Sequence, residues 1–223
     1  MKEYQQNKGY RALVNAALLS GIGMSLFNIV FVVYASTLPF NALAVSLASM
    51  ALLVPDPLRI LTGYLADRTK NKVQWMISSR LLQGVLFVAL AFLIQLPPSL
   101  WSFFLLLGIN IVSDCLGAYC SGLQLPYVRR LVPADTLDSA MGFQMACQTT
   151  VQIVFQGIGA WGIILLNNNF AAFGLINAVT FFLAAIVIFW NRSLFYAVPG
   201  KINQAPTPLF QNFSETFKLL TGT

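Results

Sequence analysis

Six stretches of this chain, residues 12–35, 40–64, 74–96, 100–124, 139–166 and 170–191, run apolar for about twenty positions or more. A hydrocarbon layer is crossed by roughly 20 residues of helix, so each stretch has the length of one crossing. The breaks between them, STLPF, DRTKNK, QLPPS, PYVRRLVPADTLD and LNNNF, have the chemistry of turns. Period-two alternation is absent, which argues against a strand-built pore. The first stretch is too long and uninterrupted for a cleaved signal peptide. Composition points the same way: 57% of the residues are hydrophobic and 9% charged, where a soluble domain carries about 25% charge. The expected fold is all-α, a polytopic membrane bundle of six transmembrane helices.

The basic residues give the expected orientation. Lys2, Lys8 and Arg11 precede the first stretch, Arg68, Lys70 and Lys72 follow the second, Arg129 and Arg130 follow the fourth, and Arg192, Lys201 and Lys218 follow the sixth. The other three connections hold no Lys or Arg, so both termini are expected in the cytoplasm. Topology thereby accounts for the net charge of +6, and no nucleic-acid partner is needed to explain it. Trp75 and Trp190 fall near expected inner edges and Trp101 and Trp161 near outer ones, as in an aromatic belt. Asn191 and Asn212 begin glycosylation patterns, which this topology leaves inside.

Polar residues inside the stretches are the candidates for function. Gln144, Gln148, Gln152 and Gln156 recur every fourth position, which on a helix makes one stripe drifting about 40° per step. Amides facing lipid would lose their water bonds without replacement, so the stripe is expected to face protein or a wet cavity. It is either glue between helices or the wall of a polar solute path. Asn28, Asn110 and Asn177 on other stretches favour the path. Asp56, Arg80 and Asp114 lie at matching depths of about 12–15 Å from the basic side, and intramembrane charge is costly and mostly functional. Arg59, one turn from Asp56, can pair with it, which leaves Arg80 to pair with Asp114. The cluster is either a static packing device or one with an exchangeable proton, carried best by Asp114. Pro55 and Pro57 imply a kink beside Asp56.

The stretch GYLADRTKNK, Gly63 to Lys72, resembles the cytoplasmic signature of the major facilitator superfamily, G-x-L-A-D-R-x-G-R-K. Gly63, Leu65, Ala66, Asp67, Arg68 and Lys72 match it, directly after the second stretch on the basic side, while Lys70 and Asn71 stand where the pattern has Gly and Arg. The segment LVPADTLDSAMG is similar to the branch that holds macrolide and siderophore efflux permeases. RLLQG, Arg80 to Gly84, matches a pattern the family carries on its fourth helix; here it is on the third, and the match is read as chance. QGIGAWG has the glycines of an antiporter run, Gly157, Gly159 and Gly162, without its proline. The resemblance implies secondary transport of a small solute by alternating access, with two six-helix bundles rocking about a shared site. Residues 1–223 would then be the N-terminal half, in a plasma membrane of bacterial type, with a second half as partner and the glutamine stripe along the seam. It also implies that Gly63, Leu65, Asp67, Arg68 and Lys72 form a conformational latch.

Three regions are expected: residues 1–11 a cytoplasmic start, 12–197 the bundle, and 198–223 a linker with an interfacial amphipathic helix over 209–220. The chain has no histidine, and Cys115, Cys120 and Cys147 stand in apolar runs without a CxxC pair, so they are read as small apolar residues. No cofactor or metal is implied, and no nucleophile–base pair or phosphate loop suggests an enzyme. Two classes stay open: a transporter half, and a non-transporting membrane protein that packs on a partner through its polar seam.

Overall fold

The computed structural model of the chain describes residues 2–51 and 53–197, and of Pro55 and Asp56 the backbone alone. The helices are α1 (Lys2–Gln6), α2 (Lys8–Ser36), α3 (Asn41–Ala51), α4 (Pro55–Arg68), α5 (Lys72–Leu93), α6 (Leu100–Leu131), α7 (Leu137–Leu165), α8 (Phe170–Trp190) and α9 (Arg192–Tyr196). Among the described residues there is no strand. The amphipathic segment 209–220 lies outside the described residues.

Helices α2, α5, α6 and α8 are long and apolar enough to cross a membrane. Helix α7 has the length, but its four glutamines make it less apolar than these. The stretch 40–64 is two helices and not one. Pro55 has no N–H to give, and its ring would collide with the carbonyl of Ala51, so α3 stops at Ala51 and α4 opens on the proline. The expected kink is thus a full interruption. Helix α6 runs past Pro126 to Leu131, beyond the expected end at residue 124.

Contacts define the two ends of the bundle. At one, Asn7 Nδ2 donates to Leu131 O at 2.6 Å and Tyr10 Oη to Ala140 O at 2.7 Å. Asn7 also caps α2, accepting from Tyr10 N at 2.9 Å, so the helix starts before the apolar stretch does. At the other end Tyr34 meets Phe170 with ring centres 5.3 Å apart, and Phe31 meets Phe103 at 6.0 Å. The described loops of the first end hold the Lys and Arg residues, and those of the second hold none. There α7 turns back into α8 through Asn167 and Asn168, at φ 49° and 59°, a left-handed conformation that asparagine tolerates well.

Helix α2 is the centre, flanked by α8, α7 and α3; α5 packs on α8 and α6, and α4 packs on α6. Small residues set the closest approaches. A Cβ on Gly23 would stand 2.9 Å from the Cα of Asn177 on α8, and one on Gly159 would stand 3.0 Å from Leu26 O on α2. One on Gly122 would stand 2.9 Å from the Ala66 methyl on α4. This is the packing of helices that share a lipid solvent, where close backbone contact replaces the hydrophobic effect. The core is mostly apolar, but much of the outward surface is apolar too, which a soluble bundle would not present. Arg80, Gln83, Asn110, Ser113, Gln124 and Asn177 are buried, while Leu82, Val85 and Phe92 of α5 and Val179, Leu183 and Ile186 of α8 face outward. All four tryptophans are exposed.

Candidate functional site

The rotation of each helix follows from its contacts. Helix α2 turns Gly23 to α8, Met24 to Gly117 of α6, and Leu26 and Ile29 to Gly159 of α7. Asn28, one turn beyond Met24, therefore points between α6 and α7. On α6, Ser113 faces Gln83 of α5 and Gly117 faces α2, so Asp114 is turned about 100° from Ser113, away from α5. On α7, Val151 approaches Gly21 of α2, and each glutamine follows by one residue the line Phe143, Cys147, Val151 and Phe155. With right-handed helices these rotations converge. Asn28, Asp114 and the stripe Gln144, Gln148, Gln152 and Gln156 turn to one open side, bordered by α4, α6, α2 and α7.

Asn28, Asp114 and Gln156 converge in depth as well. Asn28 lies about 6 Å from Met24 toward the neutral end, and Asp114 about 4.5 Å from Gly117 in the same direction. Gln156 is within about one turn of that level. Asn28, Asp114, Gln144 and Gln156 are half-buried and Gln148 and Gln152 exposed. None of the six side chains has a hydrogen-bond partner among the described residues. Helix α7 buries only Ala140, Gly159 and Ile163 among its described residues, so the stripe is not glue within this bundle.

The expected pairing of Arg80 with Asp114 does not form among the described residues. Arg80 is 4% exposed, but among the described residues no ion pair joins it to Asp114. Its Nη1 donates to Gln83 Oε1 at 2.9 Å, and Gln83 Nε2 donates to Ser113 O at 2.8 Å and Ser113 Oγ at 3.3 Å. The guanidinium also lies 5.9 Å from the Phe181 ring centre. Equal depth brought Arg80 and Asp114 to one level, but Asp114 faces the open side while Arg80 faces the interior of α5, α6 and α8. The Asp56 side chain lies outside the described residues; Arg59 is exposed on α4. RLLQG is a working unit here: Arg80 and Gln83 bond one turn apart, and Gly84 leaves room for the Phe182 ring, which would be 2.5 Å from a Cβ. Gln83 was not among the expected site residues, although its spacing three after a buried arginine was the signal. Asn110 is buried on the α6 face that also holds Gly117, and so lies off the open side.

At the basic end, the signature residues join α4 to α5. Lys72 is 2% exposed. Its Nζ donates to Ala66 O, and to Asp67 O at 3.1 Å, satisfying carbonyls that a helix C-terminus leaves open. Arg68 stacks over Tyr64 at 4.2 Å. Thr69 Oγ1 and Tyr119 Oη are 2.7 Å apart, tying the turn to α6. Asp67 and Leu65 are exposed, and Gly63 has open space where a Cβ would stand.

No protein-family model matches the chain, and no curated protein or solved structure matches it. The case for function therefore rests on the residues.

Proposed function

We propose that this chain is one six-helix bundle of a major-facilitator-type secondary transporter, an efflux permease for small molecules, working by alternating access in a plasma membrane with both termini in the cytoplasm. The observation that carries the proposal is the row of polar side chains without partners among the described residues, Asn28, Asp114 and the four glutamines, on one open side of a bundle whose α5 and α8 turn apolar side chains outward. Polar groups without partners in hydrocarbon cost several kcal/mol each, so this side is made for water, a solute or a second protein. The GYLADRTKNK stretch at the α4–α5 turn supports the family reading, with α3 and α4 together as the second crossing. A second six-helix bundle would close the open side, and the solute would bind between the two.

A second reading has its own observation. Helix α7 meets the rest of the bundle mainly through α2 and leaves Met145, Ile153 and Ile164 exposed beside the stripe. A membrane protein that docks on a partner through this face, without transport, would look the same. Cysteine at Gln148 and Gln152 separates the two readings in native membranes. Modification by a small water-soluble thiol reagent that an added solute slows supports a path. Complete protection, independent of solute, supports a packed seam and sinks transport through this face.

A further inference from the structure

We propose that Arg80 is the centre of an internal anion site, holding a carboxylate-sized or smaller anionic group between α5, α6 and α8. Arginine stays charged at all working pH values, and this one is 4% exposed. Its one hydrogen-bonded acceptor among the described residues is the neutral Gln83 amide oxygen at 2.9 Å, and its Nε is buried with no partner among them. On α8, the Nδ2 of Asn177, on the side chain that faces Gly23 of α2, is also buried with no partner among the described residues. Asn177 stands one helical turn from Phe181, the ring over which the guanidinium lies. Both unmet groups are N–H donors. Neither has an acceptor among the described residues, and next to a full positive charge the acceptor that completes the site is negative.

A water molecule would accept from Nε but would leave the charge unbalanced in a low dielectric, where an unpaired ion is strongly unfavourable. Asp114, the carboxylate at the same depth, faces the open side. Gly117 forms the thin partition between that side and this interior: a Cβ there would be 3.3 Å from Met24 Cε and 3.7 Å from Gln83 Nε2. The site does not depend on whether the bundle transports; it is a property of the buried guanidinium.

The test is thermal unfolding of the full chain in isolated membranes, read as the fraction that stays monodisperse after heating and solubilisation, in chloride against equal gluconate, which is too large to enter. For a ligand well above its dissociation constant, the midpoint should be about 2–4 °C higher in chloride. Gln83→Glu places a carboxylate where Nη1 already donates. It should raise the gluconate midpoint to the chloride value and abolish the difference, and Arg80→Gln should abolish it as well. Stabilisation by acetate as well as chloride identifies a carboxylate group as the ligand, and by chloride alone a halide. Equal wild-type midpoints overturn the proposal, as does a chloride effect that survives in Gln83→Glu, which decides the matter even if Arg80→Gln does not fold.

Discussion

Arg80 is coupled to Gln83, and the coupling is measurable. Arg80→Ala and Gln83→Ala share one hydrogen-bond network, so their combined effect on the unfolding free energy should depart from additivity by about 0.5–3 kcal/mol. Arg80→Ala with Asp114→Asn should be additive within about 0.5 kcal/mol. An Asp114 cycle that couples as strongly would restore the ion pair expected from depth alone. The clamp on α4 is another single-residue matter. Lys72→Met removes a charged donor from the carbonyls of Ala66 and Asp67, a loss of about 1.5–3 kcal/mol. Amide exchange over residues 66–74 should quicken, and unchanged exchange would show that the clamp does not hold the turn. The sequence made these residues visible as buried charge and as a signature. It did not give their partners, because depth is a coordinate along a helix and pairing also needs the angle around it. Ser113 and Asp114 are adjacent in sequence and face different surroundings.

Among the elements, α2 and α8 approach each other closely at Gly23. A Cβ at Gly23 would be 2.1 Å from Thr180 Oγ1 and 2.9 Å from a backbone atom of Asn177, so Gly23→Ala must part the helices. Overpacking of this kind costs about 1–3 kcal/mol. Gly108→Ala, with open space around it, is the control and should leave the midpoint unchanged or higher. Equal losses in both would mean that the close approach is not what Gly23 serves. The element pattern was largely legible: five of the six apolar stretches correspond to single helices, α2, α5, α6, α7 and α8. The remaining stretch reads as one because hydropathy continues across residues 40–64 while the backbone cannot. Pro55 was noted as a kink, but its missing N–H falls where α3 already ends. The polar stripe on α7 was legible from spacing, since a four-residue repeat fixes a face. Which face of the bundle it joins required the contacts of Gly21 and Gly159.

On the scale of the whole molecule, the charge difference between the two ends makes a topological prediction. Cysteine at Asn168 should react with an impermeant thiol reagent from outside intact cells and cysteine at Lys70 only after permeabilisation; the opposite pattern would invert the orientation. If the bundle is a transporter half, Asp67→Asn in the complete transporter should lower flux while leaving solute binding within a few-fold. Loss of binding with the fold intact would rule out a latch.

The left-handed turn at Asn167 and Asn168 bears on how such a chain enters a bilayer at all. Helix α7, with four amides along residues 144–156, is a poorer substrate for lateral release from a translocation channel than α8, which is among the helices long and apolar enough to cross a membrane. Joined by so short a reversal, with Gly162 seated against Phe173, the two would be delivered together as a hairpin, and the second leg carries the first. A reporter fused after Asn169 should then remain on the side where α7 begins, while fusions within the complete hairpin show both legs inserted. A reporter that crosses with α7 alone would make that helix self-sufficient and its glutamines no burden to biogenesis.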